Sequence, residues 1–325
     1  MLDVYTWEPN ANSGKPLFCL HEKGVPFTYH YIDMGAHEHH GPAFLAINPD
    51  GTIPAIVHDG FTMTESTPAM EYIDEAFDGP SLRPAEPYHR WRMRMLLRYM
   101  DNVVAPSLAM IASNRLAAPR FVGQDAAELR QKLDRIPLPE RRATWEKLMF
   151  QATPPKDIAE SERRVADAIR RFDGILGRRQ WIAGDSFSLA DIGVFATFYS
   201  LPTAREEQVS DSATPHLMRW LRACHARPGL QAALRMGKGF IAQRAADIRE
   251  KLGVAGALAA LGGFITRRAR RIPPPCASPL ARSNSNPSCT SSTWSISSST
   301  RRNTWRSTRT ARCRCSRTAG ASCSR

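Results

Sequence analysis

Three short stretches in the first 70 residues carry groups able to grip a charged small molecule. The first is Pro9-Asn10-Ala11-Asn12-Ser13-Gly14-Lys15-Pro16, set between the strand-like LDVYTW and the apolar LFCLHEKG. Pro16 lacks an N–H, and the first turn of a helix offers no internal acceptor for one, so a helix is expected to begin near Ser13. The open amides and positive dipole end there favour an anion; an ordinary polar loop would use the same residues. The second stretch is Ile53-Pro54, ahead of the strand-like PAIVHD. A proline that opens a strand loses no ladder bond. A cis bond at that place would instead turn the Ile53 N–H and C=O outward, toward an extended ligand. The third is Glu65-Ser66, opening a helix with Pro68 in its first turn. Ser66 and the free amides suit a carboxylate, and Glu65 suits an ammonium. Each stretch alone reads as a turn or a cap. Together they fit one ligand carrying both an α-amino and a carboxylate group.

Other reactive side chains have quieter readings. Cys19 is a rival nucleophile, yet it lies more than a turn into the first helix among Leu17, Phe18 and Leu20, where core packing is expected. Cys224 falls on an apolar stripe with Leu217, Trp220 and Leu221 and reads as core. Tyr5 is inside the first strand. His39 and His40, in HEHH, read as a polar surface loop, and a metal site would need further ligands.

The elements that must position these groups follow from periodicity. LDVYTW (2–7) and FTYHYID (27–33) are strands around a helix from Ser13 to Lys23, and a short helical stretch lies around Pro42–Ile47. PAIVHD and FTMTES flank Asp59-Gly60, the signal of a tight hairpin. Glu65 to Phe77 closes the unit as a helix. The order is βαβαββα, a thioredoxin-like α/β layout, expected over residues 1–79. GPSLRPAEP (79–87) reads as a linker, with residues 80–87 as its span. Residues 88–250 read as all-α, with one long helix bent at Pro106 and a short proline-bracketed helix within 134–156. Phe187-Ser188-Leu189-Ala190-Asp191-Ile192 is a capping box with a hydrophobic staple, a folding device.

The net charge of +13 suggests a nucleic-acid partner until it is located. Thirteen arginines, no lysine and no acid fall in residues 266–325, so the body balances at 31 basic and 31 acidic residues. Five of the seven cysteines, Cys276, Cys289, Cys313, Cys315 and Cys323, sit in the same tail. The stretch RRARRIPPPC…SCSR has almost no aliphatic side chains and cannot bury a core, and residues 251–325 are expected to be a disordered tail. A nucleic-acid arm and a metal tract are two readings. Arginine without lysine, amid serine, threonine, proline and cysteine, fits better a GC-rich gene read out of frame. There is no signal-like leader and no run long enough to span a bilayer, so a soluble, cytoplasmic protein is expected.

The stretches GTIPAIVHDG, TESTPAMEYIDE and GDSFSLADI resemble the glutathione transferase superfamily, over roughly residues 2–240. The resemblance implies glutathione as co-substrate, held where a thioredoxin-like domain meets an α-helical one, and a homodimer. PNANSGKP, INPDGTIPAIVHDG, TEST, SLRPAEP and RIPLPERR look most like the bacterial β-etherases, which use glutathione on lignin-derived β-aryl ethers, of the type acting on the S configuration. On that likeness Glu65 and Ser66 hold the γ-glutamyl end and the Ile53-Pro54 backbone the cysteinyl unit. His39 or His40 faces the glycyl carboxylate, and Asn12 and Ser13 stand against the thiol. No metal is implied. Met100, Met110, Trp145 and Phe150 are candidates to line the aromatic site. A general glutathione transferase, a reductive dehalogenase-like relative and a non-catalytic interaction protein with a basic arm are the alternatives.

Overall fold

The computed structural model describes residues 1–254; the arginine-rich tail and its five cysteines lie outside the described residues. A four-stranded sheet runs in the order β2-β1-β3-β4, from β1 (Leu2–Thr6), β2 (Thr28–Tyr31), β3 (Ala55–His58) and β4 (Phe61–Met63). β1 pairs parallel with β2 and antiparallel with β3, and β3 with β4 antiparallel. The hairpin turns at Asp59 and Gly60, both at positive φ (50° and 87°), as an Asp-Gly turn requires. Helices α1 (Ala11–Lys23), α2 (Pro42–Leu45) and α3 (Ser66–Ala76) complete the thioredoxin-like half.

α1 begins two residues before the expected Ser13. The Asn10 carbonyl already accepts from the Gly14 N–H at 3.0 Å, so the first turn closes earlier than Pro16 alone suggests. Leu17, Phe18, Cys19 and Leu20 along α1 are all sealed from solvent. The helix is therefore the central pillar, packed on α3 and on the helical half. Gly14 is required here: a Cβ on it would stand 2.7 Å from the Pro9 carbonyl carbon.

The helical half starts at α4 (Pro87–Tyr99), which runs on through a wide π-type turn at Met100–Val104 into α5 (Ala105–Ala112). A second wide turn at Ser113–Ala117 leads to α6 (Ala118–Phe121). Each wide turn stands just ahead of a proline, Pro106 and Pro119, and takes up the hydrogen bond that proline cannot make. The expected bend at Pro106 is thus a local widening of the helix. α7 (Ala126–Asp134) and α8 (Pro139–Phe150) form a hairpin with its own small apolar cluster, Leu129, Leu133, Ile136 and Met149 under Phe121 and Trp145.

α9 (Pro155–Leu176), α10 (Leu189–Phe198), α11 (Leu201–Ala204), α12 (Pro215–His225), α13 (Pro228–Leu234) and α14 (Phe240–Lys251) surround the main core. α10 is buried along its whole length, and its capping box at Ser188 and Asp191 is present. Asp191 accepts from the Ile182 and Ser188 amides, the Ser188 hydroxyl and the Trp220 indole N–H, all at 2.9–3.0 Å. Glu8, just past β1, is fully buried and accepts from the Lys238 and Gly239 amides, at the N-terminus of α14, and from the Tyr31 hydroxyl. Among the described residues no helix is long and apolar enough to cross a membrane.

Candidate functional site

At the head of α1 the N-terminal turn has no side-chain cap, and neither Asn12 nor Ser13 spends its side chain on a hydrogen bond among the described residues. Asn12 is exposed. Ser13 is only 7% exposed, held by the Thr6 hydroxyl, which donates to the Ser13 carbonyl at 3.1 Å. A fixed backbone with an unspent hydroxyl, at the positive end of a helix, is a donor prepared for an anion.

The Ile53–Pro54 bond is cis, and the Ile53 N–H and C=O make no hydrogen bond among the described residues. Pro54 is buried, and the Ile53 side chain packs on Ile32, Phe44 and Ala55. The backbone edge is thus anchored from behind and free in front.

α3 opens with Ser66, not Glu65. Glu65 precedes it at φ 61°, a left-handed conformation that costs a non-glycine residue roughly 1–2 kcal/mol. Backbone outliers of this kind cluster at functional sites. Glu65 is exposed and Ser66 is buried.

Sequence reasoning missed the support beneath this helix start. Lys15 is 1% exposed, donates to the Thr67 hydroxyl at 3.1 Å, and is paired with Asp101 from the wide turn after α4. Burial pulls the Lys15 pKa down, and Asp101 opposes the shift. One buried ammonium therefore ties α1, α3 and the helical half together. The only hint in the sequence is a lysine at a position where the apolar stripe of α1 should face inward.

His39 and His40 lie in a tight turn (Glu38–His40), both buried, with ring centroids 3.8 Å apart. The surface-loop expectation is corrected: the α7–α8 hairpin covers this turn, with Trp145 against His37 and Pro137 against Gly51. Burial, together with the neighbouring imidazoles and Arg141, holds His39 down to about 3, and burial with His37 and Arg141 holds His40 down to about 4. Both rings are neutral near pH 7 and act as hydrogen-bonding groups.

Cys19 is fully buried, its Sγ 3.7 Å from the Met70 carbonyl, and burial pushes its thiol pKa up, which leaves it inert. Cys224 is equally buried. Of the candidate aromatic-lining residues, Met100 is closed to a ligand and the others keep exposed surface. Met100 is sealed inside the core, because it continues the Met93, Leu96, Leu97, Val104 stripe of α4 and its wide turn. Trp145 belongs to the α7–α8 cluster, and Phe150 is exposed with Arg130 over its ring. Met110 is exposed on α5. A cavity of about 140 Å³ lies elsewhere, between Tyr199, His225, Leu234 and Ile241, and none of the site residues above lines it.

The geometry is that of an anion-receptive α1 start, a free backbone edge at Ile53 and an uncapped α3 start, all in the thioredoxin-like half. Residues 11–76 match the glutathione S-transferase N-terminal domain, and residues 139–228 the glutathione S-transferase C-terminal domain. Protein LigF of Sphingobium sp. (strain NBRC 103272 / SYK-6) is 31% identical over 245 residues, covering 73% of this chain and 94% of LigF. The crystal structure of beta-etherase LigF from Sphingobium sp. strain SYK-6 superposes with a TM-score of 0.69, covering 73% of this chain and 99% of that one at 30% identity. Glutathione S-transferase F9 of Arabidopsis thaliana is 25% identical over 67% of this chain and 89% of its own length. With both family domains matched and a relative aligned over nearly its whole length, the chain belongs to the glutathione S-transferase family of enzymes.

Proposed function

We propose that this enzyme cleaves β-aryl ether bonds in lignin-derived α-keto aromatic compounds, with glutathione as the nucleophile. The observation that carries the reading is the 31% identity extending over 94% of LigF, whose solved structure is that of a beta-etherase. In this reading the γ-glutamyl carboxylate sits at Ser66 and the open amides of α3, with its ammonium beside Glu65. The Ile53 N–H and C=O pair with the cysteinyl unit next to Pro54, and His39 or His40 meets the glycyl carboxylate. The thiol then reaches the start of α1.

A cysteine thiol ionises near pKa ~8.5, so little is thiolate at neutral pH. The Ser13 hydroxyl or the Asn12 amide donates to sulfur and, with the helix dipole, favours the anion. The thiolate attacks the ether carbon, which is bonded directly to the ketone carbon, from the face opposite the aryloxide. A C–S bond forms as the C–O bond breaks, the electron pair leaves on the phenoxide oxygen, and the centre inverts. Phenols ionise near pKa ~10, so water suffices to protonate the leaving group. The atoms balance with no redox partner and no metal-dependent step. The protein's part is to position the reactants and stabilise sulfur. Met110, Trp145 and Phe150 keep surface to meet the aromatic rings; Met100 does not.

We also infer a homodimer in a reducing cytoplasm. Phe61, Tyr88 and Trp91 leave large apolar side chains exposed for a second copy, and the two described cysteines are free thiols. The test is incubation with glutathione and each enantiomer of a model α-keto β-aryl ether. Release of phenol and a glutathione thioether from one enantiomer is expected; no phenol from either overturns the reading. The likeness to F9 favours, as a second reading, transfer of glutathione to other electrophiles.

A further inference from the structure

We propose that His37, His39 and His40 form a binding site for a borderline divalent transition metal such as zinc. One ring nitrogen from each lies within 4.8 Å of the others. Three nitrogens on a tetrahedral ion with bonds of ~2.0–2.1 Å stand about 3.4 Å apart, so small ring rotations close the set. The Nδ1 atoms of His39 and His40 are buried with no partner among the described residues, an arrangement that is costly until a ligand supplies one. His37, half-buried at the rim, adopts φ 56°, and its ring lies 6.1 and 6.2 Å from the other two.

The surroundings hold these rings in place. A Cβ on Gly51, at φ 62°, would stand 3.1 Å from His40 and Pro137 and 3.3 Å from the His39 carbonyl, and Trp145 stands edge-on to His37. The nearby charges oppose any cation, so the ligand chemistry must select the ion. Lys132 and Arg135 act on His37, and Arg141 acts on His39 and His40. A hard cation held by charge, such as magnesium or calcium, is disfavoured there. Imidazole nitrogen instead suits zinc, cobalt, nickel and copper. The same cations favour an anion, chloride or hydroxide, as the fourth ligand.

His39 and His40 would serve either a metal or the glycyl carboxylate, so the two compete; that clause alone rests on the glutathione reading. The test is titration of the untagged full-length protein with cobalt(II). The expected result is one equivalent bound with the visible absorption of a tetrahedral, nitrogen-ligated ion, displaced by zinc. His37→Ala and His39→Ala should each weaken binding at least tenfold while circular dichroism shows the fold intact. No binding, or a thiolate charge-transfer band that persists in His37→Ala and so reports the tail cysteines, overturns the site. Zinc should slow phenol release by the unsubstituted enzyme but not by His37→Ala, whose rate in chelator stays unchanged. A rate insensitive to zinc overturns the competition. Were no phenol released at all, the proposed reaction would fall while the cobalt titration still decided the metal site.

Discussion

The first turns of α10 and α1, at Ser188 and Ser13, use the same kind of residue for opposite ends. At α10 every polar group is consumed: Asp191 accepts four hydrogen bonds, and nothing of the turn faces solvent. Burial pushes the Asp191 pKa up to about 6 in spite of those donors. At α1 and α3 no side chain caps the helix, and Glu65 even holds a left-handed backbone beside the gap. A closed start stabilises the fold, and in the proposed reading an open one is held at some cost for a ligand. The difference lies in whether a partner residue comes from the chain or from outside it.

That contrast yields predictions in descending size. Asp191→Ala strips the acceptor from a buried indole and two amides, and should cost about 3–5 kcal/mol. The check is urea unfolding, with a lower midpoint at unchanged slope; the folded fraction should keep its glutathione KM. Ser13→Ala should lower kcat about 10²–10³-fold, as for loss of one oxyanion donor, and move stability by less than about 0.5 kcal/mol. The acid limb of its pH–rate profile should shift toward the ~8.5 of a free thiol. An unchanged limb would assign the sulfur to Asn12 instead. Ser66→Ala should raise the glutathione KM about tenfold with little effect on kcat, the worth of one charge-assisted bond. Glu65→Gly should do two things at once: stabilise by about 1 kcal/mol, because glycine accepts φ 61° freely, and weaken glutathione binding. If it stabilised without weakening binding, the open start of α3 would not be a ligand's place.

Much of the fold was legible because its signals are local. Asp59-Gly60 announces the hairpin, the 187–192 box announces α10, and the two periodicities separate the α/β half from the helical half. The closed helix start was legible for the same reason, since its partners sit three residues apart. What escaped depends on distance along the chain. Lys15 finds Asp101 and Thr67 only after three elements pack together. His39 and His40 looked solvated because nothing in HEHH reports that residues 137 and 145 will cover it. Met100 looked like a site residue because the wide turn that carries its stripe inward has no local sign apart from Pro106. The start of α1 was off by two residues because Pro16 marks where a helix lacks a donor, while Asn10 decides where it first closes.

Glu8 sets an order of events for the emerging polypeptide. Its carboxylate, fully enclosed, has as backbone partners, among the described residues, only the amides of Lys238 and Gly239, some 230 residues downstream. On the ribosome, the first strand must wait with that charge exposed until nearly the whole described chain has been made. Until those amides are made, the sheet half lacks the backbone donors that enclose Glu8. The last of the described helices is the latch for the first strand.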